Sequence, residues 1–151
     1  MAQVVRTYYQ DGNIKEEYFM MDNKKEGEYK LYHPNGQLEI ICNFINNKKE
    51  GEYEEYWSNG QLWEICNYIN DKKEGEYKKY HENGQLCIIC NYVNGKLKGE
   101  HKYYYSNGQL YIICNYINDK KIGKYKLYDI NGHLCKYYIY ENDEIVQIIK
   151  G

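Results

Sequence analysis

Cysteine and histidine are the residues of this 151-residue sequence that could ligate a metal or act as nucleophile and base. Cys87 and Cys90 form a Cys-x-x-Cys pair, the spacing that supplies half of many zinc sites. A second close pair is not evident, because Cys114 and Cys135 follow singly and far along the chain. No nucleophile–base pair, phosphate-binding loop or paired-carboxylate motif stands out either. We therefore predict no metal site, no cofactor and no catalytic centre.

These residues belong to a repeat with a period of 24 residues. Cysteine recurs with this period, and so do two series of glycines: Cys42, Cys66, Cys90 and Cys114; Gly27, Gly51, Gly75, Gly99 and Gly123; Gly12, Gly36, Gly60, Gly84, Gly108 and Gly132. A short fixed period predicts an array in which each unit buries apolar surface only against its neighbours. Because every repeat carries the same residues, the pattern favours a binding surface over one asymmetric active site. A repeat position is named here by its residue in the segment 27–50.

Two turn signals alternate along each repeat. His33-Pro34-Asn35-Gly36 fits a type I turn closed by a left-handed glycine, which is a three-residue hairpin. Asn46-Asn47 and its copies predict a tight two-residue hairpin, since Asn and Asp tolerate left-handed backbone. Tyr, Ile, Leu and Cys between the turns are typical of strands. The fold class predicted is all-β, with about 12 strands in one elongated antiparallel meander of 24-residue β-hairpin repeats. Gly51 falls within a strand, which indicates a bulge or a close backbone approach.

The whole chain, 1–151, is predicted to be one array. It would comprise a degenerate first repeat (1–26), five regular repeats (27–140) and a C-terminal cap (141–151). Residues 142–151 have both a helical spacing of isoleucines and the repeat register of a strand, and we favour the strand.

The same geometry argues that the cysteines are reduced packing residues. Equal positions of a meander lie two strands apart, about 9.5 Å, whereas a disulfide needs Cα atoms within roughly 7 Å. His33 and His81 are then about 19 Å apart, too far to share a metal, and His101 replaces a tyrosine as a packing residue. Reduced thiols and the lack of a signal or membrane-spanning stretch predict a cytoplasmic protein.

The motif Gly-Glu-Tyr-x-x-Tyr-x-x-Asn-Gly-Gln-Leu, as in 51–62, resembles the MORN repeat. The resemblance extends over about Tyr8–Tyr140 and is strongest to the variant repeats of bacterial antitoxin-like proteins and giant DNA viruses of amoebae. It implies a non-enzymatic interaction module: a scaffold, a toxin-neutralising partner or a phosphoinositide binder. A viral source would place the protein in the host cytoplasm.

Alternation along the strands predicts which residues share a face. If both strands continue from the three-residue turn without a bulge, position 31 pairs with position 39 and position 29 with position 41. Tyr32, Leu38, Ile40, Cys42 and Phe44 then form a packing face. The variable positions 31, 33 and 39 lie with Tyr29 and Ile41 on the opposite face, and a bulge of one residue would exchange the faces. From these positions we predict the partner-binding residues Glu55, Trp57, Trp63, Lys79, His81, Tyr103, Tyr105 and Tyr111.

Exposed aromatic residues beside a few charges are typical of protein-binding hot spots. The alternative is that variation marks unconstrained drift on a solvated face. The predicted partner is another protein, with a homodimer through the sheet face or an edge as one form. Nucleic acid is not expected, because the net charge is −2 and the lysine pairs are interpreted as a solvated face. The alternative function, a peripheral membrane or phosphoinositide-binding module, would need a lysine-dense patch.

Overall fold

A computed structural model describes residues 1–149 of the chain, which form β-strands joined by turns. The strands are β1 (Gln3–Tyr8), β2 (Ile14–Met21), β3 (Lys24–Tyr32), β4 (Leu38–Ile45), β5 (Lys48–Tyr56), β6 (Leu62–Ile69), β7 (Lys72–Tyr80), β8 (Leu86–Val93), β9 (Lys96–Tyr104), β10 (Leu110–Ile117), β11 (Lys120–Tyr128), β12 (Leu134–Glu141) and β13 (Glu144–Ile149). The strand interpretation of the C-terminal segment is confirmed as far as Ile149, and Lys150 and Gly151 lie outside the described residues. Within that part, no helix is long and apolar enough to cross a bilayer.

The chain divides into two compact units, Met1–Lys72 and Lys73–Gly151. In the first unit, β1 to β6 pair in chain order, each antiparallel to the next. In the second unit, β7 to β13 pair in the same way. The predicted all-β antiparallel meander of 24-residue hairpin repeats is confirmed.

Both predicted turns form as the residue types require. At the first, His33 N donates to Gln37 O at 2.8 Å, Gly36 N donates to His33 O at 2.8 Å, and Gly36 has φ of 83°. At the second, Asn46 and Asn47 have φ of 52° and 66°, the two left-handed residues of a type I′ hairpin. The turn backbones therefore set the strand length and the repeat period.

Gly51 marks a bulge. The register shifts between Cys42, which pairs with Tyr53, and Phe44, which pairs with Lys49. Gly51 has φ of 82°, and a Cβ at this glycine would meet nothing within 4 Å. The glycine is therefore needed for its left-handed conformation and not for a close backbone approach.

A second bulge, beside the Asn-Gly turn, changes the predicted faces. Tyr32 pairs with Leu38 as predicted, but Leu31 pairs with Ile40 and Tyr29 with Cys42. The predicted pairs 31–39 and 29–41 are wrong, because Glu39 is an extra residue in its strand. The same shift occurs in the other hairpins of both units.

Two faces follow from this register. The cysteine face carries positions 29, 31, 33, 39, 40, 42 and 44, and the opposite face carries positions 28, 30, 32, 38, 41 and 43. Tyr32 and Leu38 were wrongly assigned to the face of Ile40, Cys42 and Phe44, and Tyr29 was wrongly separated from it. The variable positions thus share a face with the packing residues, since the extra residue reverses the alternation.

The most buried residues all lie on the cysteine face: Cys42, Tyr53, Cys66, Tyr77, Cys90 and Cys114, with Glu64 and His101. Cysteines of position 42 lie on alternate strands, as predicted, and none of the six cysteines forms a disulfide. Burial raises the pKa of the Cys42 thiol. These cysteines are small packing residues beside the rings of position 29.

One lysine of each pair is not on a solvated face. Lys25 Nζ lies 4.4 Å from the Tyr29 ring centroid and 5.4 Å from that of Phe44. Lys49 Nζ lies 4.5 Å from the Tyr53 ring and 5.0 Å from the Tyr68 ring. Cation–π attraction accounts for this position. The solvated-face interpretation was therefore wrong for the second lysine of the pair.

Hydrogen bonds also join the two-residue turns of successive repeats. Asn47 N donates to Lys25 O at 3.0 Å, and Lys25 N donates to Asn47 Oδ1 at 2.6 Å. Asp119 and Leu97 repeat this exchange at 3.2 and 2.7 Å. The side chains of Asn47, Asp71, Asp119 and Asp143 thus tie their hairpins to the preceding ones.

Replacing Asp119 by Gly should lower the free energy of unfolding by about 1 kcal/mol, because the Leu97 N–H loses its side-chain acceptor. Glycine keeps the left-handed backbone of Asp119, whose φ is 68°. Urea unfolding monitored by circular dichroism measures the change. Asp119→Asn is the matched control, since Asn47 fills the same role, and it should unfold like the wild type. Equal losses in both variants would assign the effect to charge and not to the acceptor.

His101 stands in the core where other repeats have tyrosine. It is 5% exposed, and neither ring nitrogen has a hydrogen-bond partner. Its ring stacks on Tyr103 at a centroid distance of 4.5 Å. Burial lowers the pKa of His101 from 6.5 to about 4, so the ring is neutral at neutral pH, as a packing residue should be.

Acid should therefore destabilise the fold through His101. Between pH 6.5 and 4 the unfolded chain takes up a proton that the folded protein excludes, so the free energy of unfolding falls as pH drops. The limit of this contribution is about 3 kcal/mol. His101→Tyr, which restores the residue of the other repeats, should remove that part of the pH dependence in unfolding titrations. Parallel profiles for the two proteins would contradict the assignment.

Candidate functional site

The predicted binding residues lie beside the Asn-Gly turns on the cysteine face. Positions 33 and 39 meet there across several hairpins. The ring centroids of Trp57 and Trp63 are 5.4 Å apart, and those of Tyr105 and Tyr111 are 4.7 Å apart. We call positions 31, 33, 39 and 40 of each unit its turn-side surface.

The two units hold different parts of the predicted set. The first unit holds Glu55, Trp57 and Trp63, of which Trp57 contacts Trp63. The second unit holds Lys79, His81, Tyr103, Tyr105 and Tyr111, of which Tyr105 contacts Tyr111 and Tyr103 stacks on His101. All eight side chains are half-buried. The structure therefore places them on one type of surface, though less exposed than predicted.

Position 33 has a structural role that the sequence analysis missed. His33 Nε2 donates to Tyr56 O and His81 Nε2 to Tyr104 O, both at 2.9 Å. Tyr105 Oη donates in the same way to Tyr128 O at 3.1 Å. Each bond reaches the carbonyl 23 residues further along the chain. The shared signal is a planar side chain with a donor at its far end, which Tyr, His and Trp all provide.

Asp129 is the exception at position 33. Its carboxylate accepts hydrogen bonds from Asn131 N and His133 N, both at 2.9 Å. These bonds, with the nearby His133 ring, lower the pKa of Asp129. A short acceptor cannot replace the long donors of the other copies, so Asp129 closes its own turn instead.

Carboxylates accompany the tryptophans in the first unit. Glu55 lies directly opposite Glu64, which is 9% exposed, and Tyr53 Oη donates to Glu55 Oε2 at 2.6 Å. Burial raises the pKa of Glu55; the Tyr53 hydrogen bond opposes this shift, and the negative charges of Glu64 and Glu39 add to it. Glu39 Oε2 also lies 3.6 Å from His33 Nδ1.

Glu16 completes this acidic part of the first unit, accepting from Tyr29 Oη at 2.8 Å and from Thr7 Oγ1 at 3.2 Å. Sequence reasoning missed Glu16 and Glu64 because position 40 was treated as a packing position. The signal was present, since Ile40, Ile88 and Ile112 occupy the same position in other repeats.

The second unit lacks these carboxylates at the matching positions. Position 40 carries Ile88, Ile112 and Lys136, and position 31 carries Lys79 and Tyr103 besides Leu127. The two turn-side surfaces therefore differ in charge although their backbones repeat. Within residues 1–149, no group of three His, Cys, Asp or Glu side chains is arranged to hold a metal ion.

A different groove lies on the opposite face of the second unit. Its floor is apolar, with Leu110 and Ile113, and its rim carries Glu100, Lys124 and Lys126. Lys102 pairs with Glu100 at 2.5 Å on the same face. Because the cations and the carboxylate are mixed, this groove has no single charge preference.

Comparison with known proteins agrees with the hairpin repeat. The family model described as MORN repeat variant matches residues 4–22, 25–46, 49–70, 73–94 and 95–118. The segment 25–46, for example, covers nearly all of β3 and the whole of β4 with the Asn-Gly turn between them. A comparison with curated protein sequences found no match. Because the five segments cover more than half of its residues, the chain belongs to the MORN repeat variant family.

Proposed function

We propose that this protein is a non-catalytic scaffold or antitoxin-like module that captures another protein through its turn-side surface. MORN repeats are in general binding modules without catalytic activity. The observation that carries the proposal is the contact of Trp57 with Trp63, two half-buried indoles on a rigid antiparallel sheet. Tryptophan is the residue most enriched in protein-binding hot spots.

Packing alone does not account for this surface. The bond from position 33 to the next repeat explains why that position carries histidine or tyrosine in several repeats. It does not explain the chemical variety at positions 31 and 39, which runs from Glu55 to Lys79 and from Trp63 to Cys87. Variety on a constant backbone is what a recognition surface requires.

A homodimer is one form of the proposed interaction. Ile145, Val146 and Ile148 of β13 are 48%, 52% and 66% exposed, and exposed apolar strands favour pairing with another strand. Sedimentation of the purified protein at several concentrations measures this association.

A phosphoinositide-binding function has less support. Lys25, Lys49 and Lys73 lie over tyrosine rings of their own repeats, so their ammonium groups already have an attractive partner. Binding to phosphoinositide vesicles, with a steep loss on adding salt, would favour this alternative instead. The proposal includes a cytoplasmic location, which is supported by six cysteines that form no disulfide.

Changing Trp57 to His together with Trp63 to Cys should abolish partner capture and leave the fold intact. This pair of residues occurs in the next repeat as His81 and Cys87, and histidine keeps the donor at position 33. Loss of a tryptophan hot spot weakens binding by at least about 30-fold. Quantitative affinity capture from the native cytoplasm measures the loss, and urea unfolding should change by less than about 1 kcal/mol.

Tyr8→Ser is the matched control, because Tyr8 is a 57% exposed aromatic residue of position 32 on the opposite face. It should capture the same proteins as the wild type. If the tryptophan variant also captures them, or if it unfolds, the turn-side surface is not the binding surface.

A further inference from the structure

Asparagine is followed directly by glycine at six places in the chain, and this dipeptide is the one most prone to spontaneous deamidation. The pairs are Asn35-Gly36, Asn59-Gly60, Asn83-Gly84, Asn94-Gly95, Asn107-Gly108 and Asn131-Gly132. Because glycine has no Cβ, its backbone nitrogen is open to approach by the preceding side chain. All six asparagines lie in exposed turns. Accessibility therefore does not distinguish the six sites, but the hydrogen bonds of the asparagine amide do.

Two hydrogen bonds hold this amide in the three-residue turns. Gln37 N donates to Asn35 Oδ1 at 3.0 Å, and Asn35 Nδ2 donates to Ser58 O at 2.9 Å. Both bonds recur at Asn83 and Asn107, and the first of them recurs at Asn59. Deamidation requires Cγ to approach the glycine nitrogen, so the amide must leave the orientation that these bonds hold. Each bond therefore opposes the reaction.

Asn131 occupies the same position of the same kind of turn without these bonds. His133 N, which corresponds to Gln37 N, donates to Asp129 Oδ1 at 2.9 Å instead. The Asn131 side chain makes no hydrogen bond within residues 1–149. Gly132 N still donates to Asp129 O at 3.0 Å, a bond that the other three-residue turns also make. The difference thus lies in the asparagine amide and not in the nitrogen that would attack it.

Asn94 is the first residue of a two-residue turn whose second residue is Gly95. In four other turns of this kind the second residue is Asn or Asp, whose side chain accepts from the preceding hairpin, as Asn47 does from Lys25 N. Gly95 has no side chain for that bond, although its N–H donates to Lys73 O at 2.9 Å. In the described part of the chain the Asn94 amide also makes no hydrogen bond.

From these contrasts we infer that Asn94 and Asn131 deamidate spontaneously in the folded protein, whereas hydrogen bonds protect the asparagines of the other four pairs. The glycine nitrogen attacks Cγ, and the new N–Cγ bond closes a succinimide ring. The Cγ–Nδ2 bond breaks, and ammonia leaves with the proton of the glycine nitrogen. Water, the only co-reactant, then opens the ring at either carbonyl and leaves aspartate or isoaspartate. This chemistry is independent of the proposed function.

The modification changes the backbone as well as the charge. Isoaspartate carries the main chain through its own Cβ and Cγ, which lengthens the backbone by a methylene group. Asn94 and Gly95 have φ of 53° and 78°, the left-handed pair that closes a type I′ hairpin. A longer backbone does not fit this turn, so isoaspartate at Asn94 loosens the connection between β8 and β9.

Peptide mapping of the full chain by mass spectrometry tests the inference. The folded protein is incubated at mildly alkaline pH in water enriched in heavy oxygen, which labels only residues that deamidate during the incubation, and is then digested in acid. Label should enter Asn94 and Asn131 at least about 10-fold faster than Asn35, Asn83 and Asn107, because two hydrogen bonds hold each of those three amides. In guanidinium chloride, which removes the fold, all six sites should react at similar rates.

Two variants test the cause at each site. Asp129→Tyr restores the residue of the preceding repeat, Tyr105, and leaves His133 N for the Asn131 amide. It should slow labelling of Asn131 about 10-fold and leave Asn94 unchanged. Gly95→Asn gives the turn the residues of Asn46-Asn47 and should slow labelling of Asn94 alone. Circular dichroism checks that both variants fold.

Equal labelling of all six sites in the folded protein would overturn the inference, and so would the same ranking of sites with and without guanidinium chloride. Label in one of the two residues alone would overturn the assignment of the other. If Asp129→Tyr folds and Asn131 still reacts as in the wild type, the missing amide bond is not the cause. Should either variant fail to fold, the folded and denatured wild type decide the matter between them.

Discussion

The extra residue in each even-numbered strand, next to the Asn-Gly turn, decides which side chains share a face. In β4 this residue is Glu39, and its insertion moves Ile40 and Cys42 opposite Leu31 and Tyr29. The composition of the two faces follows from that shift. The shift brings the variable positions 31, 33 and 39 onto the cysteine face, beside the buried cysteines and the position-29 rings. The proposed binding surface therefore lies on the same face as the most buried residues.

Charged side chains on the cysteine face are stabilised in two ways. Lysines at position 49, of which Lys25 is the first copy, lie over tyrosine and phenylalanine rings, so their charge is attracted by the ring quadrupole. Carboxylates at positions 31 and 40 accept hydroxyl hydrogen bonds from neighbouring tyrosines. Tyrosine serves both groups, since its ring faces a cation while its hydroxyl faces an anion. The heavy use of tyrosine, 21 residues of 151, thus has an electrostatic reason as well as a packing reason.

The turns and the strand boundaries could be predicted from the sequence because particular residue types are required there. Asn46-Asn47 and Gly36 adopt left-handed backbone that few other residues accept. The bulge at Gly51 was signalled for the same reason. The bulge at Glu39 was not, since the residues at that position, among them Trp63 and Cys87, share no chemistry that would reveal it. A classic bulge needs no left-handed residue, so sequence alone leaves the register open.

The residues of the candidate surface could be predicted from the sequence, but their hydrogen bonds and burial could not. Variation among repeats correctly selected residues that lie together, such as Trp57 with Trp63. The hydrogen bonds from position 33 were not predicted, because the acceptor is a backbone carbonyl 23 residues away. Every residue has such a carbonyl, so the sequence does not show which one accepts. Glu64 was missed because other repeats carry isoleucine at its position, which was therefore treated as a packing position.

The position-33 bond always runs from one repeat to the repeat that follows it, so it favours whole repeats as the unit by which such a protein lengthens or shortens. Donor and acceptor stand 23 residues apart, one less than the period, so excising or duplicating 24 residues at any point within a regular stretch rejoins every donor to an equivalent carbonyl. Gene rearrangements that change the number of repeats therefore preserve these hydrogen bonds. A gain or loss of half a period would instead place a position-33 side chain beside a two-residue turn and not beside its carbonyl acceptor. Lineages of such proteins should accordingly differ in length by whole hairpin pairs.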